Sequence, residues 1–483
     1  MNAGTGRALV AAIGLWTFQA CDGDSPVERT PPVTQLAFTT QPGTAEGQVA
    51  FDPVIRVALQ DASGRTVTGA SREVTVRLVA SSVGATLLGT TTVTAVNGIA
   101  TFTDLSLALP GDGFRLEAQS PGLPAVLSNP FAVRLTFAQI GAGSVHSCGL
   151  TAAGYVYCWG GNPAGQLGDG TTTQRERPTP VSGNRRFAQI STGDHHTCGV
   201  ITTGAAYCWG YNVFGRLGDG TTTQREVPTL VASNLSFTQV SAGDAYTCGV
   251  TTAGPAYCWG FNDHGQVGSS AIGQHHTPTL VGGALSFTQI SASNAHTCAI
   301  TASSVAYCWG DNSVGQFGDG TTTSRATPVP VAGNLRFAQM SVGSFHTCGA
   351  TTDGIAHCWG FNNHAQNGDG TTAQRNVPTP VMAGLTVTAV QAGHIHSCGV
   401  TTGNVAYCWG NNFSGQLGDG TTMNRQTPAM VAGALAFTRV DPGREHSCGI
   451  TTGNAAYCWG FNSQGQIGNG TTQSSLSPAR VVQ

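Results

Sequence analysis

The residues best suited to chemistry are one histidine and two cysteines that recur every 50 residues. The first copy reads His146-Ser147-Cys148, with a second cysteine at Cys158. An imidazole and two thiolates are ligands that zinc accepts. The third copy argues against a metal site, because Tyr246 replaces the histidine while both of its cysteines remain. We therefore favour a disulfide in each copy, and we predict no metal and no cofactor.

The two cysteines of each copy are ten residues apart across a predicted hairpin turn. Such a turn places them on neighbouring strands, where opposing side chains can be bridged if the register fits. A bridge of this size contributes up to about 3 kcal/mol by restricting the unfolded chain. The predicted disulfides are Cys148–Cys158, Cys198–Cys208, Cys248–Cys258, Cys298–Cys308, Cys348–Cys358, Cys398–Cys408 and Cys448–Cys458.

A glycine-rich loop in each copy carries a second pattern, in which an aspartate and an arginine are six residues apart. Five copies have both residues and two have neither, as in the third copy with Ser269 and His275. Joint loss indicates an ion pair, because a lone buried charge is costly. The loop lacks the lysine of a phosphate-binding loop and the oxygen ligands of a calcium loop. The predicted pairs are Asp169–Arg175, Asp219–Arg225, Asp319–Arg325, Asp369–Arg375 and Asp419–Arg425.

The other strictly placed residues are interpreted as structural. A residue needed in every copy serves packing more often than recognition, so we expect the tryptophans to fill the core between neighbouring units. We expect the histidines to form hydrogen bonds across a loop. The tryptophans are Trp159, Trp209, Trp259, Trp309, Trp359, Trp409 and Trp459, and the histidines are His146, His196, His296, His346, His396 and His446.

These residues belong to seven units of 50 residues that fill positions 135–483 without insertion or deletion. Each unit offers about four short strands and no helical periodicity, and such units arranged in a ring form a β-propeller. We therefore predict an all-β fold with a seven-bladed β-propeller. A linear solenoid would need polar capping units, which neither end shows. The last segment, Ser477–Gln483, is expected to pair with the first unit and so latch the ring.

The stretch from His146 to Thr171, HSCGLTAAGYVYCWGGNPAGQLGDGT, and its six copies resemble the repeats of the regulator of chromosome condensation family. That superfamily also includes β-lactamase inhibitory protein II, a secreted bacterial propeller. The resemblance implies the propeller fold strongly and function weakly. Members act as guanine-nucleotide exchange factors, as accessory domains of proteases or ligases, or as protein inhibitors.

The chain before the propeller divides into three parts. Residues 1–20 read as a signal peptide, and the end of this segment resembles a bacterial lipoprotein signal, which makes Cys21 the candidate for lipidation. Residues 21–34 are polar and rich in proline, as in a tether. Residues 35–134 show short alternating runs separated by turn residues, typical of a β-sandwich. The run from Asn97 to Gly122 resembles bacterial immunoglobulin-like modules, and we interpret this domain as a spacer.

Binding residues are expected where the units differ, in two loops that flank their strands. The variable positions of these loops contain aromatic residues, which are favoured at protein interfaces and suit stacking on sugars. Ordinary loop variation remains the alternative. The candidate binding face consists of Tyr211, Phe214, Phe261, Phe345, Phe361, Phe413 and Phe461.

The composition narrows the classes of function. The net charge is −3, only 9% of residues are charged, and all 21 basic residues are arginine, so no basic stripe for nucleic acid is present. We find no catalytic motif, and we predict a non-enzymatic, exported binding protein of the bacterial cell envelope, anchored by a lipid, whose partner is a protein or a glycan. Two alternatives remain open: exchange-factor activity implied by the resemblance, which export disfavours, and an enzyme or metal site in the atypical third unit, around Asp263, His264, His275 and His276.

Overall fold

The computed structural model describes residues 31–79, 84–382 and 385–482. The secondary structure within these ranges is entirely β, with no helix, so none of the described segments is a helix that could cross a membrane. The predicted signal segment 1–20, Cys21 and the tether up to residue 30 lie outside the described residues. The prediction of an all-β fold is confirmed for the described residues.

The N-terminal unit consists of short strands around one hydrophobic core. In the strand Glu73–Leu78, buried Val74 and Val76 alternate with exposed polar residues, as expected for a sheet with one buried face. The core also contains Ile55, Phe102 and Leu116. Its strands are Gln35–Thr40, Ala45–Glu46, Ile55–Gln60, Glu73–Leu78, Leu87–Leu88, Thr92–Thr94, Ile99–Phe102, Ser106–Leu107, Gly111–Phe114, Leu116–Gln119, Val126–Leu127 and Phe131–Arg134.

Each 50-residue repeat forms one four-stranded antiparallel sheet whose strands follow chain order, and the described residues contain seven such sheets. The first strands are Phe137–Ala142, Phe187–Thr192, Phe237–Ala242, Phe287–Ala292, Phe337–Val342, Val387–Ala392 and Phe437–Pro442. The second strands are His146–Thr151, His196–Ile201, Tyr246–Thr251, His296–Thr301, His346–Thr351, His396–Thr401 and His446–Thr451. The third strands are Val156–Gly160, Ala206–Gly210, Ala256–Phe261, Ala306–Gly310, Ala356–Gly360, Ala406–Gly410 and Ala456–Gly460. The fourth strands are Arg175–Pro180, Arg225–Leu230, Gln274–Leu280, Arg325–Pro330, Arg375–Pro380, Arg425–Met430 and Ser475–Arg480. The prediction of propeller repeats built from four-stranded sheets is confirmed.

The last strand does not latch the ring as expected. Ser475–Arg480 pairs with Ala456–Gly460 of its own repeat, so it takes the place that Arg175–Pro180 takes in the first sheet. The expectation was wrong because each repeat contains its own fourth strand and no strand is shared between the last sheet and the first. The junction between these two sheets therefore depends on contacts other than a shared ladder.

Tryptophans provide one of these contacts. Trp209, fully buried, donates its indole N–H to the carbonyl oxygen of Gln166 in the preceding repeat, at 2.9 Å. Trp159 donates in the same way to Gln466, which joins the first sheet to the last at 2.9 Å. The tryptophans thus lie between neighbouring sheets.

Histidines provide a second contact between sheets. They bond the next repeat, whereas the sequence analysis predicted hydrogen bonds across a loop. His146 Nε2 shares a hydrogen bond of 2.8 Å with the hydroxyl of Thr197, which lies on the second strand of the next repeat. His446 of the last repeat forms the corresponding hydrogen bond, of 2.9 Å, with the hydroxyl of Ser147 in the first repeat. In the third repeat the hydroxyl of Tyr246 takes over the same role and contacts Thr297 at 2.9 Å.

The first strands line a central channel of about 780 Å³. Gln139 donates its amide to the carbonyl oxygen of Ile190 at 2.7 Å and accepts the N–H of the same residue at 3.1 Å. At the junction of the last and first sheets, Asp441 Oδ2 accepts the N–H of Ala142 at 3.0 Å. Polar side chains of one sheet thus satisfy the main chain of the next.

The N-terminal unit packs on the first sheet. Tyr157 donates its hydroxyl to the carbonyl oxygen of Ala108 at 2.8 Å, and Thr136 donates to Glu46 at 2.8 Å. A Cβ at Gly47 would lie 2.5 Å from the Tyr157 hydroxyl, so this approach requires glycine. Tyr157 is fully buried, whereas Tyr207 at the same position of the second repeat is partly exposed.

We predict that the propeller loses stability in mild acid. Burial lowers the pKa of His146, His296, His346 and His396 to about 3 and that of His446 to about 4. An unfolded histidine titrates near pH 6.5, so the unfolded state binds more protons between these values. The free energy of unfolding should therefore be retained above about pH 6.5 and fall below it, by about 1.4 kcal/mol per pH unit for each histidine. Scanning calorimetry between pH 7.5 and 5 measures this.

The third repeat supplies the control for this experiment. His296→Tyr copies the residue that the third repeat carries at this position. The variant should fold and lose one histidine's share of the pH dependence. A melting temperature that does not change between pH 7 and 5 would contradict the prediction.

Candidate functional site

The loops that differ most between repeats lie at one end of the channel. The turn between the first and second strands places one side chain near the mouth in six of the seven repeats. The channel lining at this end includes Ser144, Asp194, Asp244, Ser344, His394 and Arg444. The loop after the third strand lies beside this turn, since Gly161 N–H donates to the carbonyl oxygen of Val145 at 2.8 Å. The two predicted loops therefore form one continuous rim.

Three predicted binding residues form an aromatic cluster in the second and third repeats. The rings of Phe214 and Phe261 have centroids 5.0 Å apart. Phe261 also contacts the ring of His264, and Tyr211 contacts that of His195, each at 6.4 Å. We call these residues the first rim cluster.

A buried arginine supports the first rim cluster. Arg216 is only 3% exposed, and its guanidinium lies over the rings of Tyr211 at 4.9 Å and Phe214 at 5.4 Å. It donates a hydrogen bond to the carbonyl oxygen of Asp244, and its Nε has no hydrogen-bond partner among the described residues. The sequence analysis missed Arg216, although the other repeats have glutamine at this position, as in Gln166.

Charged groups surround this arginine. Burial and the neighbouring carboxylate of Asp194 raise the pKa of Asp244 to about 7. Asp194 lies 3.5 Å from His195 Nε2 and 3.9 Å from Arg444 Nη1. Strongly shifted groups of this kind occur more often at functional sites than elsewhere.

Three further predicted residues form a second rim cluster in the fifth and sixth repeats. Phe345 contacts Phe361 and His394, each with ring centroids 6.2 Å apart. His364 lies between Phe361 and Phe413, at 6.4 and 6.3 Å. Phe413 is 71% exposed. The seventh candidate, Phe461, is partly buried and has no ring contact with either cluster among the described residues.

The cysteines form a disulfide at each of the predicted pairs, joining the second and third strands of every repeat. Cys148 and Cys158 are directly opposite in the ladder, with Cα atoms 4.1 Å apart. Several disulfides in one chain indicate an oxidising, extracellular type of environment.

Four of the predicted ion pairs are present. In the first repeat, Arg175 Nη2 lies 2.7 Å from Asp169 Oδ2, and the other pairs are Asp219–Arg225, Asp369–Arg375 and Asp419–Arg425. The fifth prediction, Asp319–Arg325, is wrong. Arg325 is exposed, and the hydroxyl of Thr321 lies within hydrogen-bond distance of both oxygens of Asp319. Because the arginines in the other repeats are themselves about one third exposed, each pair adds only a modest amount of stability.

A buried asparagine, which the sequence analysis missed, holds the same loop. Asn162 is 1% exposed, donates to the carbonyl oxygen of Thr171 at 2.9 Å and accepts the N–H of Leu167 at 3.0 Å. Its recurrence in all repeats, as in Asn212, was the available signal.

The atypical third repeat does not assemble a metal site in the described residues, where no group of three or more histidine, cysteine, aspartate or glutamate side chains converges. His275 contacts the carbonyl oxygen of Ala271 at 3.0 Å and the hydroxyl of Thr279 at 3.0 Å. His276 contacts Gln274 at 3.2 Å, and His264 lies against Phe261 in the first rim cluster. These histidines are therefore engaged locally and separately.

Comparisons with known proteins agree with the repeat architecture. A family model described as the RCC1-like domain matches residues 233–483, just over half of the chain. Models of the regulator of chromosome condensation (RCC1) repeat match residues 153–200 and 203–250 in one case, and 137–166 and 187–216 in another. They confirm the predicted resemblance of the repeats. Among curated proteins, none matches the sequence significantly.

Solved structures show the same fold at low sequence identity. Human WBSCR16 is 20% identical with a TM-score of 0.63, over 68% of this chain and 94% of that one. Prp20p from Saccharomyces cerevisiae, described with its binding to Gsp1p and histones, is 19% identical with a TM-score of 0.62, over 69% and 87%. Yeast RCC1 (Prp20) bound to Kap60 is 19% identical with a TM-score of 0.62, over 72% and 86%.

We predict that the cysteines of the propeller are all oxidised in the native protein. Alkylation with iodoacetamide in denaturant without reductant should leave these cysteines unmodified, and prior reduction should add one label for each of them. Intact-mass spectrometry reads out both conditions.

Each bridge should contribute up to about 3 kcal/mol, so Cys148→Ser/Cys158→Ser should lower the midpoint of urea unfolding. Labelling of propeller cysteines before reduction would contradict the prediction.

Proposed function

The chain belongs to the RCC1-like domain family, and we propose that it is a non-enzymatic binding protein whose rim clusters contact a protein partner. The single observation that carries the proposal is that recurring and variable residues of the repeat lie in different places. Residues that recur in every repeat are buried or bonded between sheets, whereas the residues that differ gather at one rim. Trp209 and His196, for example, are fully buried, while Tyr211 of the same repeat is 37% exposed.

The chemistry of the rim favours a protein over a glycan. Tyrosine, phenylalanine and arginine are enriched at protein interfaces, and tyrosine and arginine are frequent hot spots of binding energy. The buried Arg216 guanidinium packs against the rings of Tyr211 and Phe214, so these rings lose little conformational entropy when a partner covers them. A glycan would instead need open ring faces for stacking, and most of the rim rings are packed edge to face against histidines.

A location at a cell surface is part of the same proposal. We propose that residues 1–20 direct export, that Cys21 carries a lipid anchor in a bacterial envelope, and that residues 35–134 are an immunoglobulin-like spacer. The seven sheets would form a closed seven-bladed propeller held away from the membrane. The disulfides support an oxidising environment, and no observation favours the exchange-factor alternative.

We predict that rim substitutions abolish partner binding without unfolding the protein. Arg216→Gln restores the residue of the other repeats and should therefore fold, yet it should weaken binding because the rings of Tyr211 and Phe214 lose the guanidinium that supports them. Phe361→Ser/Phe413→Ser tests the second rim cluster. Cross-linking of the full chain to envelope proteins, followed by mass spectrometry and then titration of the purified partner, measures both. Loss of one hot-spot side chain should weaken binding by about 2 kcal/mol or more.

The matched control removes exposed apolar side chains away from the rim. Leu230→Ser/Leu280→Ser/Met430→Ser changes residues of the fourth strands that are at least half exposed. This variant should bind normally. Equal loss of binding in the control would show that the rim is not the interface, and a glycan retained in place of a protein would contradict the proposed class of partner.

We predict separately that Cys21 anchors the chain. Cys21→Ser should move the protein from the membrane fraction to the soluble or secreted fraction of the native host, and it should abolish incorporation of labelled palmitate. Fractionation and fluorography measure this. A Cys21→Ser protein that stays in the membrane fraction would contradict lipid anchoring without affecting the rim proposal.

A further inference from the structure

The wall of the central channel is built from polar side chains that are mostly used internally. The first-strand glutamine of a repeat bonds the main chain of the next repeat, as Gln189 does with Val240, donating at 3.0 Å and accepting at 3.0 Å. A serine two residues further along adds a second bond, as Ser241 accepts the N–H of Ala292 at 2.9 Å. In these repeats little of the wall is left to hold a ligand.

The sixth and seventh repeats break this pattern at the glutamine position. Ala389 and Arg439 stand where five repeats have glutamine, and both line the channel. Ala389 leaves space where a glutamine side chain would lie. Arg439 Nε is buried and has no hydrogen-bond partner, and no ion pair of Arg439 is found among the described residues. A guanidinium without a partner therefore lies beside a gap in the wall.

The acidic group closest along the strand is already engaged. Asp441 accepts the N–H of Ala142 at 3.0 Å and so holds the junction between the last and first sheets. Burial raises the pKa of this carboxyl, although the positive charge of Arg439 opposes the shift. Asp441 thus uses a carboxylate oxygen within the wall and forms no ion pair with Arg439 among the described residues.

The mouth above the same two repeats carries an arginine of its own, Arg444. His394 and Arg444 line the channel there, whereas Asp194 and Asp244 belong to the second and third repeats. Arg444 lies 3.9 Å from Asp194, whereas Arg439 forms no ion pair among the described residues.

We propose that the channel is a second binding site, which takes a carboxylate at Arg439. Its volume of about 780 Å³ lies within the range of small-molecule sites. The planar guanidinium matches a carboxylate through two parallel hydrogen bonds, and Ala389 provides the space for the ligand. The carboxylate belongs either to a free small organic acid or to the C-terminus of a peptide segment that enters the mouth.

The test uses the purified full chain and isothermal titration calorimetry with defined probes. Succinate represents the free acid, and N-acetyl-trialanine, with a free or an amidated C-terminus, represents the peptide. Binding of succinate identifies a small-molecule site, whereas binding of only the peptide with a free C-terminus identifies a segment site. Arg439→Gln should lower the affinity for the probe that binds by about tenfold or more, because a charge-assisted hydrogen bond is lost.

Two further variants make the result specific. Ala389→Gln should lower the affinity for the same probe, because the glutamine side chain fills the gap. Both variants restore the residue of the other repeats, so they should keep the wild-type melting temperature. Arg325→Gln removes an exposed arginine far from the channel and should bind normally. Arg216→Gln should also bind the probe normally, which separates this site from the rim. Absence of binding by the wild type to all probes at millimolar concentration, or unchanged affinity in Arg439→Gln, would overturn the proposal.

Discussion

Contacts from side chain to main chain between successive sheets are the interaction on which the repeat region depends. Each ladder of main-chain hydrogen bonds stays within one repeat, so the ladders themselves join nothing across a junction. Trp209 bonds the carbonyl oxygen of Gln166, and Trp159 bonds that of Gln466 with the same length of 2.9 Å. The junction between the chain's last and first repeats is therefore made in the same way as the junction between two consecutive repeats.

This requirement explains why so many positions are identical between repeats. Tryptophan, histidine and glutamine each bond a buried polar group of a neighbouring repeat, and loss of hydrogen bonds to buried polar groups is costly. The third repeat shows that the role, rather than the residue type, is what matters. Tyr246 reaches Thr297 with its hydroxyl, as His146 reaches Thr197 with its imidazole. The sixth repeat shows the converse. In four repeats a serine accepts an N–H of the next repeat, but the equivalent position of the seventh repeat is Pro442, which has no N–H, and the sixth repeat has Gln391 in place of the serine.

The positions that bond a neighbouring sheet leave two places where residues vary between repeats, the rim and the channel wall. The rim carries rigid aromatic clusters on a scaffold that is fixed by a disulfide in each sheet, and such preorganisation lowers the entropic cost of binding. The channel wall allows variation only where another contact holds the junction. Asp441 provides that contact in the seventh repeat, and this leaves Arg439 available for a ligand.

Features that depend on residues close together in the chain could be predicted from the amino-acid sequence. The disulfides needed only the register of one hairpin, and the Asp169–Arg175 pair spans six residues of one loop. The fourth repeat shows the limit of this reasoning, because Asp319 and Arg325 have the right spacing but form no ion pair. Thr321 bonds the aspartate there as Thr171 does in the first repeat, so this hydrogen bond does not explain the difference. The tertiary structure decided the rest. The partners of His146 and His446 are 51 and 299 residues away, the last strand stays in its own sheet, and Phe461 lies apart from both rim clusters. The physical reason is that a hairpin is defined by local turn geometry, whereas contacts between sheets depend on how the sheets stack around the channel, which no local spacing specifies.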